Sequence, residues 1–344
     1  MKRIGEHFGG WLYAVFALVT LCVFFVCVSL GSVRIPLSGS LRVLADALLS
    51  RSSAEEDLLA RSVIVSVRVP RVLCVALVGA ALSLSGASMQ GLLKNPLADG
   101  STIGVSSGAS LGAVLAIALG ITFPGLPFAG TMIMAILFAL LSLLLILGIA
   151  YRLDCTLSTN TIILIGVIFS MFASSIMSIV ITFAGDRLRS ITFWTMGSLQ
   201  GSSYRNALVL AATLAASGTV LLFHARELNA FAVGEDNARA IGVNVRRVRL
   251  LVLVMVSCLI GVSVSIGGSI AFVGLVTPHM VRMIVGPNHK RLLPASLFSG
   301  AVFLMLADLM ARTLFIPREL PLGVVTSVVG AVVFVVIFYR SRQR

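Results

Sequence analysis

Charged side chains inside apolar runs are the residues of this sequence best placed to do chemistry. Asp308 lies deep in one such run, and Arg312 follows it four residues later, one helical turn on. An acid in this setting could carry a proton if a second acid or a histidine relay accompanied it, or it could pair with Arg312. No second acid lies within the apolar runs, which favours the ion pair or a hydrogen bond.

His279 is the other candidate, because it follows Pro278 in an apolar segment. A haem or metal ligand is one interpretation, and packing or a backbone hydrogen bond is the other. The remaining histidines lie elsewhere, and the five cysteines form no CxxC or Cys/His cluster. The sequence therefore predicts packing for His279, with no metal site and no catalytic residue.

The composition indicates what must position these side chains. The chain is 58% apolar and 11% charged, with a mean hydropathy of +1.07, whereas soluble domains carry about 25% charged residues. It is therefore expected to cross a lipid bilayer several times. The net charge of +13 comes from arginines spread through the loops, which suits lipid headgroups and topology rather than nucleic acid.

The apolar runs predict an all-α polytopic membrane protein with about ten transmembrane helices, in one transmembrane domain covering 1–344. Nine or eleven spans remain possible, because the ends at 63–84 and 270–285 are uncertain. Lys2 and Arg3 before the first run favour an anchor with both termini cytoplasmic. The predicted spans are 11–30, 63–84, 101–120, 127–150, 160–183, 205–223, 248–268, 270–285, 294–316 and 321–339.

Two Gly/Pro-interrupted segments suggest an internal repeat. Gly91-Leu92 is followed by Pro96, and Gly274-Leu275 is followed by Pro278. Five spans per half would invert the second half relative to the first, as in many transporters. Chance similarity between two glycine-rich spans is the alternative.

The inner loop 225–247 contains two short helical stretches. Leu228 and Phe231 share a face of the first stretch, and Ala238 and Ile241 are three apart in the second. Apolar faces favour a docking surface for a soluble partner, against the alternative of a solvated loop that only sets topology. The residues predicted to couple this loop to its soluble partner, called the coupling residues, are Gly234, Glu235, Asp236, Ala238, Ile241 and Gly242.

Several motifs together resemble one family of membrane proteins. The segment RVPRVLCVALVGAALSLSGASMQGLLKNPLADGSTIGVSSGASLG resembles the signature of the FecCD/BtuC-like permeases, the membrane subunits of type II ABC importers for iron-siderophores, haem or cobalamin. GEDNARAIGVNV resembles the coupling loop of that family. IAFVGLVTPHMVR, NHKRLLPAS, ADLMAR and ELPLGVVTSVVG follow in the same order as its C-terminal motifs.

The resemblance implies a homodimer of ten-span subunits with inverted five-helix repeats. It also implies two cytoplasmic ABC ATPase subunits and an extracytoplasmic substrate-binding protein. The chain has no GxxxxGK[ST] motif, so ATP and Mg²⁺ are expected on the ATPase subunits, with no cofactor on this chain. The chain itself is then a transport subunit and not an enzyme.

The resemblance also implies roles for particular residues, each with a simpler alternative. Arginines at the outer mouth, Arg68, Arg71 and Arg312, would pair with carboxylates of the binding protein, although interface arginines can simply snorkel and Arg312 can pair with Asp308. A cytoplasmic gate would include Asn95, Leu97, Thr159 and Asn160, some of which could instead cap helices. Residues lining the path would be Ser106, Ser107 and Ser110, although close helix packing explains small residues equally well.

The expected function is therefore ATP-driven alternating access that moves iron(III)-siderophore across the bacterial cytoplasmic (inner) membrane. Cobalamin or haem import by the same architecture is the alternative within the family. A secondary transporter driven by an ion gradient is the alternative from another class, and it would need more buried acids than Asp308. A channel or structural protein would not need the inner docking loop.

Overall fold

The described part of the chain consists of helices and the loops that join them. A computed structural model describes residues 10–31, 58–100, 103–123, 129–155 and 157–342, with a few isolated positions between 35 and 46. Within these residues there is no β-strand. Lys2 and Arg3, which carried the predicted orientation, lie outside the described residues, so the orientation stays a prediction.

The helices follow one another with short connections. A helical turn, Leu58–Arg61, and a π-helical segment, Ser62–Arg68, run directly into the second long helix. In chain order the helices are α1 (Trp11–Ser29), α2 (Val69–Leu93), α3 (Val105–Leu119), α4 (Ala129–Leu153), α5 (Thr159–Thr182), α6 (Leu188–Thr195), α7 (Tyr204–Phe223), α8 (Ala225–Val233), α9 (Glu235–Ala240), α10 (Val245–Gly267), α11 (Val273–Val285), α12 (His289–Thr313) and α13 (Leu322–Arg342).

Ten apolar helices in the described chain coincide with the ten predicted runs. Seven are long and apolar enough to cross a membrane; α3, α11 and the Leu322–Ile337 part of α13 are apolar but shorter. The all-α polytopic fold class is thus confirmed. The largest boundary difference is at 63–84, because α2 continues to Leu93. Its last turns carry Ser85, Ser88 and Gln90, which are buried against other helices and so need not end the helix.

Helix α2 forms the centre of the subunit. In the most apolar 18-residue stretch of α2 and its lead-in, 78% of the residues are buried, whereas that share is 22% in α1 and in α5. Glycines allow its close contacts: a Cβ on Gly79 would overlap the carbonyl of Gly300 in α12, and one on Gly86 would overlap the carbonyl of Gly274 in α11. Small residues thus let three helices approach one another closely, as is common in membrane bundles.

Each half of the chain has a short helix as its third apolar element. Helices α3 and α11 both begin after a residue with left-handed backbone, Gly104 at φ 77° and Phe272 at φ 68°. The two predicted hinge regions also touch, because Gln90 donates from Nε2 to the carbonyl of Leu275 at 3.2 Å. This correspondence supports the inverted repeat, which stays a prediction.

Candidate functional site

At one end of the bundle, a buried cluster of charges surrounds Asp308. Arg71 donates from Nε and Nη2 to Asp308 Oδ1, at 3.1 and 2.9 Å. Arg312 Nε lies 2.8 Å from the other carboxylate oxygen, Oδ2. Arg71 also pairs with Glu319, at 2.8 Å. The carboxylate of Asp308 is therefore held between two guanidinium groups.

Two buried arginines, Arg68 and Arg312, donate hydrogen bonds to the free backbone carbonyls at the end of α1. Arg68 donates from Nη1 to the carbonyls of Val28 and Ser29, at 3.1 and 2.7 Å. Arg312 donates from Nη2 to the carbonyl of Cys27 at 3.0 Å. The last carbonyls of a helix lack partners within it, and cations are favourable near that end of the dipole. These side chains therefore fasten α1 to α2 and α12.

The predicted docking arginines are thus placed differently from what was expected. Arg68, Arg71 and Arg312 are all buried, and each has partners within the chain. The ion pair between Arg312 and Asp308, the alternative weighed from their four-residue spacing, is present. A buried, paired guanidinium is not available to a partner's carboxylate in this conformation. Docking of a binding protein on these residues stays a prediction that the geometry does not favour.

At the other end of the membrane helices, α8 and α9 form a compact segment, 225–240. It is called the inner segment because this side is predicted to be cytoplasmic. Gly234 joins them at φ 151°, ψ 146°, and Asn244 caps α10 by accepting from Arg247 N at 3.0 Å. Leu228, Phe231 and Ala238 are fully buried against the membrane helices. The expectation that these apolar residues form the docking face is therefore wrong. Their side chains face this subunit's own membrane helices and anchor the segment there.

The exposed part of this segment is a small tip. Ile241 is 72% exposed, as expected for docking, and Val233 beside Gly234 is 73% exposed. Of the other predicted coupling residues, Asp236 and Gly242 are exposed, whereas Gly234 and Glu235 are half-buried. Sequence reasoning missed Val233, although an apolar β-branched residue directly before a glycine break was a usable signal. The tip residues are Ala232, Val233, Asp236, Asn237, Arg239, Ala240, Ile241 and Gly242.

A buried arginine that sequence reasoning had assigned only to topology lies beneath this tip. Arg249 of α10 is fully buried and forms an ion pair with Glu235, the first residue of α9. Its Nη1 donates to the carbonyl of Leu157 in the connection before α5. Glu235 was predicted as a coupling residue only from its place at a helix start. The structure gives it a partner within the membrane helices.

The predicted gate residues lie in two separate loops. Asn95 Oδ1 accepts from Leu97 N at 2.9 Å, which forms a tight turn after α2 and leaves Leu97 exposed. Before α5, Asp154 Oδ2 accepts from Ser158 N at 3.0 Å, with Thr159 half-buried and Asn160 exposed. Each loop has its own local hydrogen bonds. That the two loops act together as a gate stays a prediction.

Of the three serines predicted to line a path, Ser106 borders an internal cavity of about 80 Å³. Ser107 and Ser110 are not among its lining residues, and Ser110 is buried in helix packing. Ser85 Oγ also faces this region without a hydrogen-bond partner. The cavity lies where the starts of α3 and α11 meet; its lining is Leu82, Ser85, Asp99, Gly100, Ser106, Ile260, Val264, Ser269, Ile270, Ala271, Phe272 and Gly274.

The described ranges contain no group of three or more His, Cys, Asp or Glu side chains that could hold an ion. His289 instead contacts Asn229 of α8, with Nδ1 2.8 Å from Asn229 Oδ1. This contact joins the inner segment to the start of α12.

Comparisons with known proteins agree with this architecture. The model of the FecCD transport family matches residues 18–340. The chain is 41% identical to the uncharacterized ABC transporter permease protein YvrB of Bacillus subtilis, over 92% of this chain and 90% of that protein. It is 38% identical to the cobalamin import system permease protein BtuC of Halobacterium salinarum, over 83% and 74% of the two chains.

A solved structure supports the same assignment. It is described as an inward-facing conformation of a metal-chelate-type ABC transporter, and one of its chains superposes with a TM-score of 0.85 at 31% identity. The match covers 96% of this chain and all of that one. The family resemblance inferred from the sequence motifs is therefore confirmed.

Proposed function

The chain belongs to the FecCD transport family of ABC importer permeases, and from this premise we propose that it moves iron(III)-siderophore across the bacterial inner membrane. The transport subunit would work by alternating access, driven by ATP that partner ATPases hydrolyse. The observation that carries the proposal is the inner segment, where a rigid, anchored pair of helices presents an exposed tip.

The tip has the features that a mechanical contact needs. Its underside is fixed by the buried Leu228, Phe231 and Ala238, so a push on the tip would be passed to the membrane helices rather than absorbed. Its exposed apolar residues, Val233 and Ile241, suit a groove on an ATPase subunit. A partner of this kind would supply the nucleotide site that the sequence lacks.

The charge cluster supports ATP rather than an ion gradient as the energy source. Ion-coupled transporters place exchangeable acids along the pathway. Asp308 is held by Arg71 and Arg312 instead, so its charge is neutralised within the subunit. This arrangement favours the ABC importer over the secondary transporter.

The substrate class is the finer part of the proposal, and the descriptions of similar proteins are what supports it. A metal chelate fits the description of the superposed transporter, and iron(III)-siderophore is the class proposed first. Cobalamin is the second candidate, because the Halobacterium relative is named for it. Delivery by an extracytoplasmic binding protein would set the choice between them.

A homodimer would complete the pathway. Helix α5 leaves large apolar side chains exposed, among them Leu164, Met171 and Phe172. These residues can meet lipid or a second copy of the chain, and the family resemblance favours a second copy for part of this surface.

The test is uptake by the complex reconstituted with its cognate ATPase and binding protein in vesicles. Ferrichrome, cyanocobalamin and haem would be offered separately with ATP inside. Iron accumulation from ferrichrome alone would support the proposal. Uptake confined to cyanocobalamin or haem would overturn the siderophore assignment while leaving the importer class intact.

A further inference from the structure

Arg249 is the largest fully buried side chain in the described part of the protein, and it lies at the inner end of α10. A buried cation needs compensating charge, because an isolated one is costly in a medium of low dielectric constant. Glu235 of α9 provides this charge through the ion pair with Arg249 Nη2. The inner segment is thus tied to the membrane helices by a charge pair as well as by apolar packing.

The same guanidinium reaches a second element. Its Nη1 donates to the carbonyl of Leu157, whose backbone is left-handed at φ 54°. Leu157 directly precedes Ser158, the residue before α5, and the predicted gate residues Thr159 and Asn160 follow. One side chain therefore touches both the first residue of α9 and the backbone that leads into α5.

We propose that Arg249 is a positioning residue that passes movement of α9 to the start of α5, through Glu235 on one side and the Leu157 carbonyl on the other. This inference rests on the proposed importer function. The planar guanidinium holds its donors in a fixed fork, so displacement of one partner is felt by the other. Moving Glu235 alone would leave a buried charge unpaired, so the pair moves together.

A neighbouring pair in the same helix provides the contrast. Asp236 pairs with Arg239 at 3.5 Å, but the Asp236 side chain is 98% exposed and both residues belong to α9. That pair joins α9 to nothing else and is screened by water. Because Asp236 itself belongs to the tip, the matched control for removing the charge of Glu235 is an exposed acid away from the tip, Asp186.

The experiment uses the full complex with its ATPase and a thiol reporter at the gate. Asn160→Cys is introduced after the exposed Cys22 and Cys155 are replaced by serine. Labelling by N-ethylmaleimide is then compared between the nucleotide-free state and the state trapped with ATP and vanadate. The test variants are Glu235→Gln and Arg249→Lys; the second keeps the charge but loses the fork. The control is Asp186→Asn.

We expect the reporter background and Asp186→Asn to show the same nucleotide-dependent change in labelling. In Glu235→Gln and Arg249→Lys that change should shrink by about fivefold or more, the usual lower range of allosteric coupling, while ATP hydrolysis continues. A purely structural role would lower thermal stability and hydrolysis together. If the Glu235→Gln subunit does not assemble with the ATPase, Arg249→Lys alone provides the test.

The inference would be overturned if labelling in both test variants depended on nucleotide as strongly as in the reporter background. It would also be overturned if labelling in that background did not change with nucleotide although the complex hydrolyses ATP. Failure of the proposed function would be seen separately. It would show as the absence of a co-purifying ATPase, or of ATP-driven uptake by the unmodified complex.

Discussion

At the scale of single residues, the buried acid Asp308 shows how this protein accommodates charge in a membrane. Its two oxygens face Arg71 and Arg312, and those arginines also bind Glu319 and the end of α1. Each ion thus has a partner, and the arrangement links three helices. These contacts define the role of Asp308, which is to hold α1, α2 and α12 together through the two arginines.

Replacing Asp308 by Asn should reduce stability. Two buried guanidinium groups would lose their shared counter-ion, and breaking a buried pair costs about 3–5 kcal/mol. Thermal unfolding in detergent should therefore shift clearly, with lower yield. The exposed Asp186, changed to Asn, is the control and should unfold like the parent. A stable Asp308→Asn protein whose transport lost its pH dependence would instead indicate proton coupling.

Replacing Arg68 by Gln separates its two possible roles. The change removes a charged donor to two carbonyls of α1, and such hydrogen bonds contribute roughly 1.5–3 kcal/mol. We expect a lower unfolding temperature and unchanged affinity for the binding protein in fluorescence titrations at low ionic strength. Arg205→Gln, at an exposed arginine, is the control. Weaker binding without loss of stability would restore the docking role.

Local spacing predicted some of these contacts and could not predict others. The partnership of Arg312 with Asp308 follows from one helical turn, so it was foreseen as an alternative. Arg71 lies 237 residues from Asp308, and Arg249 meets Leu157 across 92 residues. No pattern in a single sequence indicates such pairs, since they depend on which helices pack together.

At the scale of elements, α9 shows where periodicity fails. Ala238 and Ile241 are three residues apart and were expected on one face, but Ala238 is buried and Ile241 is exposed. The helix ends at Ala240, and Ile241 is its C-cap with φ −90° and ψ 10°. The i, i+3 rule applies only while the helix continues, so the two side chains separate.

Changes at the tip should therefore act on the partner, and changes beneath it should act on the fold. Val233→Ala combined with Ile241→Ala should weaken association with the ATPase about tenfold, as loss of exposed apolar anchors does at an interface. Ala238→Trp should instead destabilise the subunit by about 1–3 kcal/mol through overpacking. Pull-down of the ATPase and thermal unfolding, measured for both variants, distinguish the effects; wild-type ATPase binding by the double variant would contradict this assignment.

At the scale of the whole molecule, the described residues form ten apolar helices, and α2 lies at their centre. Hydropathy alone was enough to predict the number of apolar helices and the fold class, because each run approaches the length that a bilayer requires. It placed the end of α2 too early, since buried serines and Gln90 lower the hydropathy without ending the helix. The motifs supplied the family, which the comparisons confirm.

The proposed energy source rests on this whole-molecule view. Asp308 is committed to two arginines, and the exposed inner tip offers a contact for a motor subunit. Neither feature would serve a stand-alone transporter driven by an ion gradient. The central claim is that ATP hydrolysed by a partner drives transport through this chain.

The most direct test is uptake in reconstituted vesicles whose ion gradients are controlled. The complete complex, with ATP inside and its loaded binding protein outside, should accumulate substrate. Uptake should persist when an ionophore collapses the proton and sodium gradients, and it should stop when the ATPase subunit is omitted. Accumulation driven by either gradient without ATP would contradict the account.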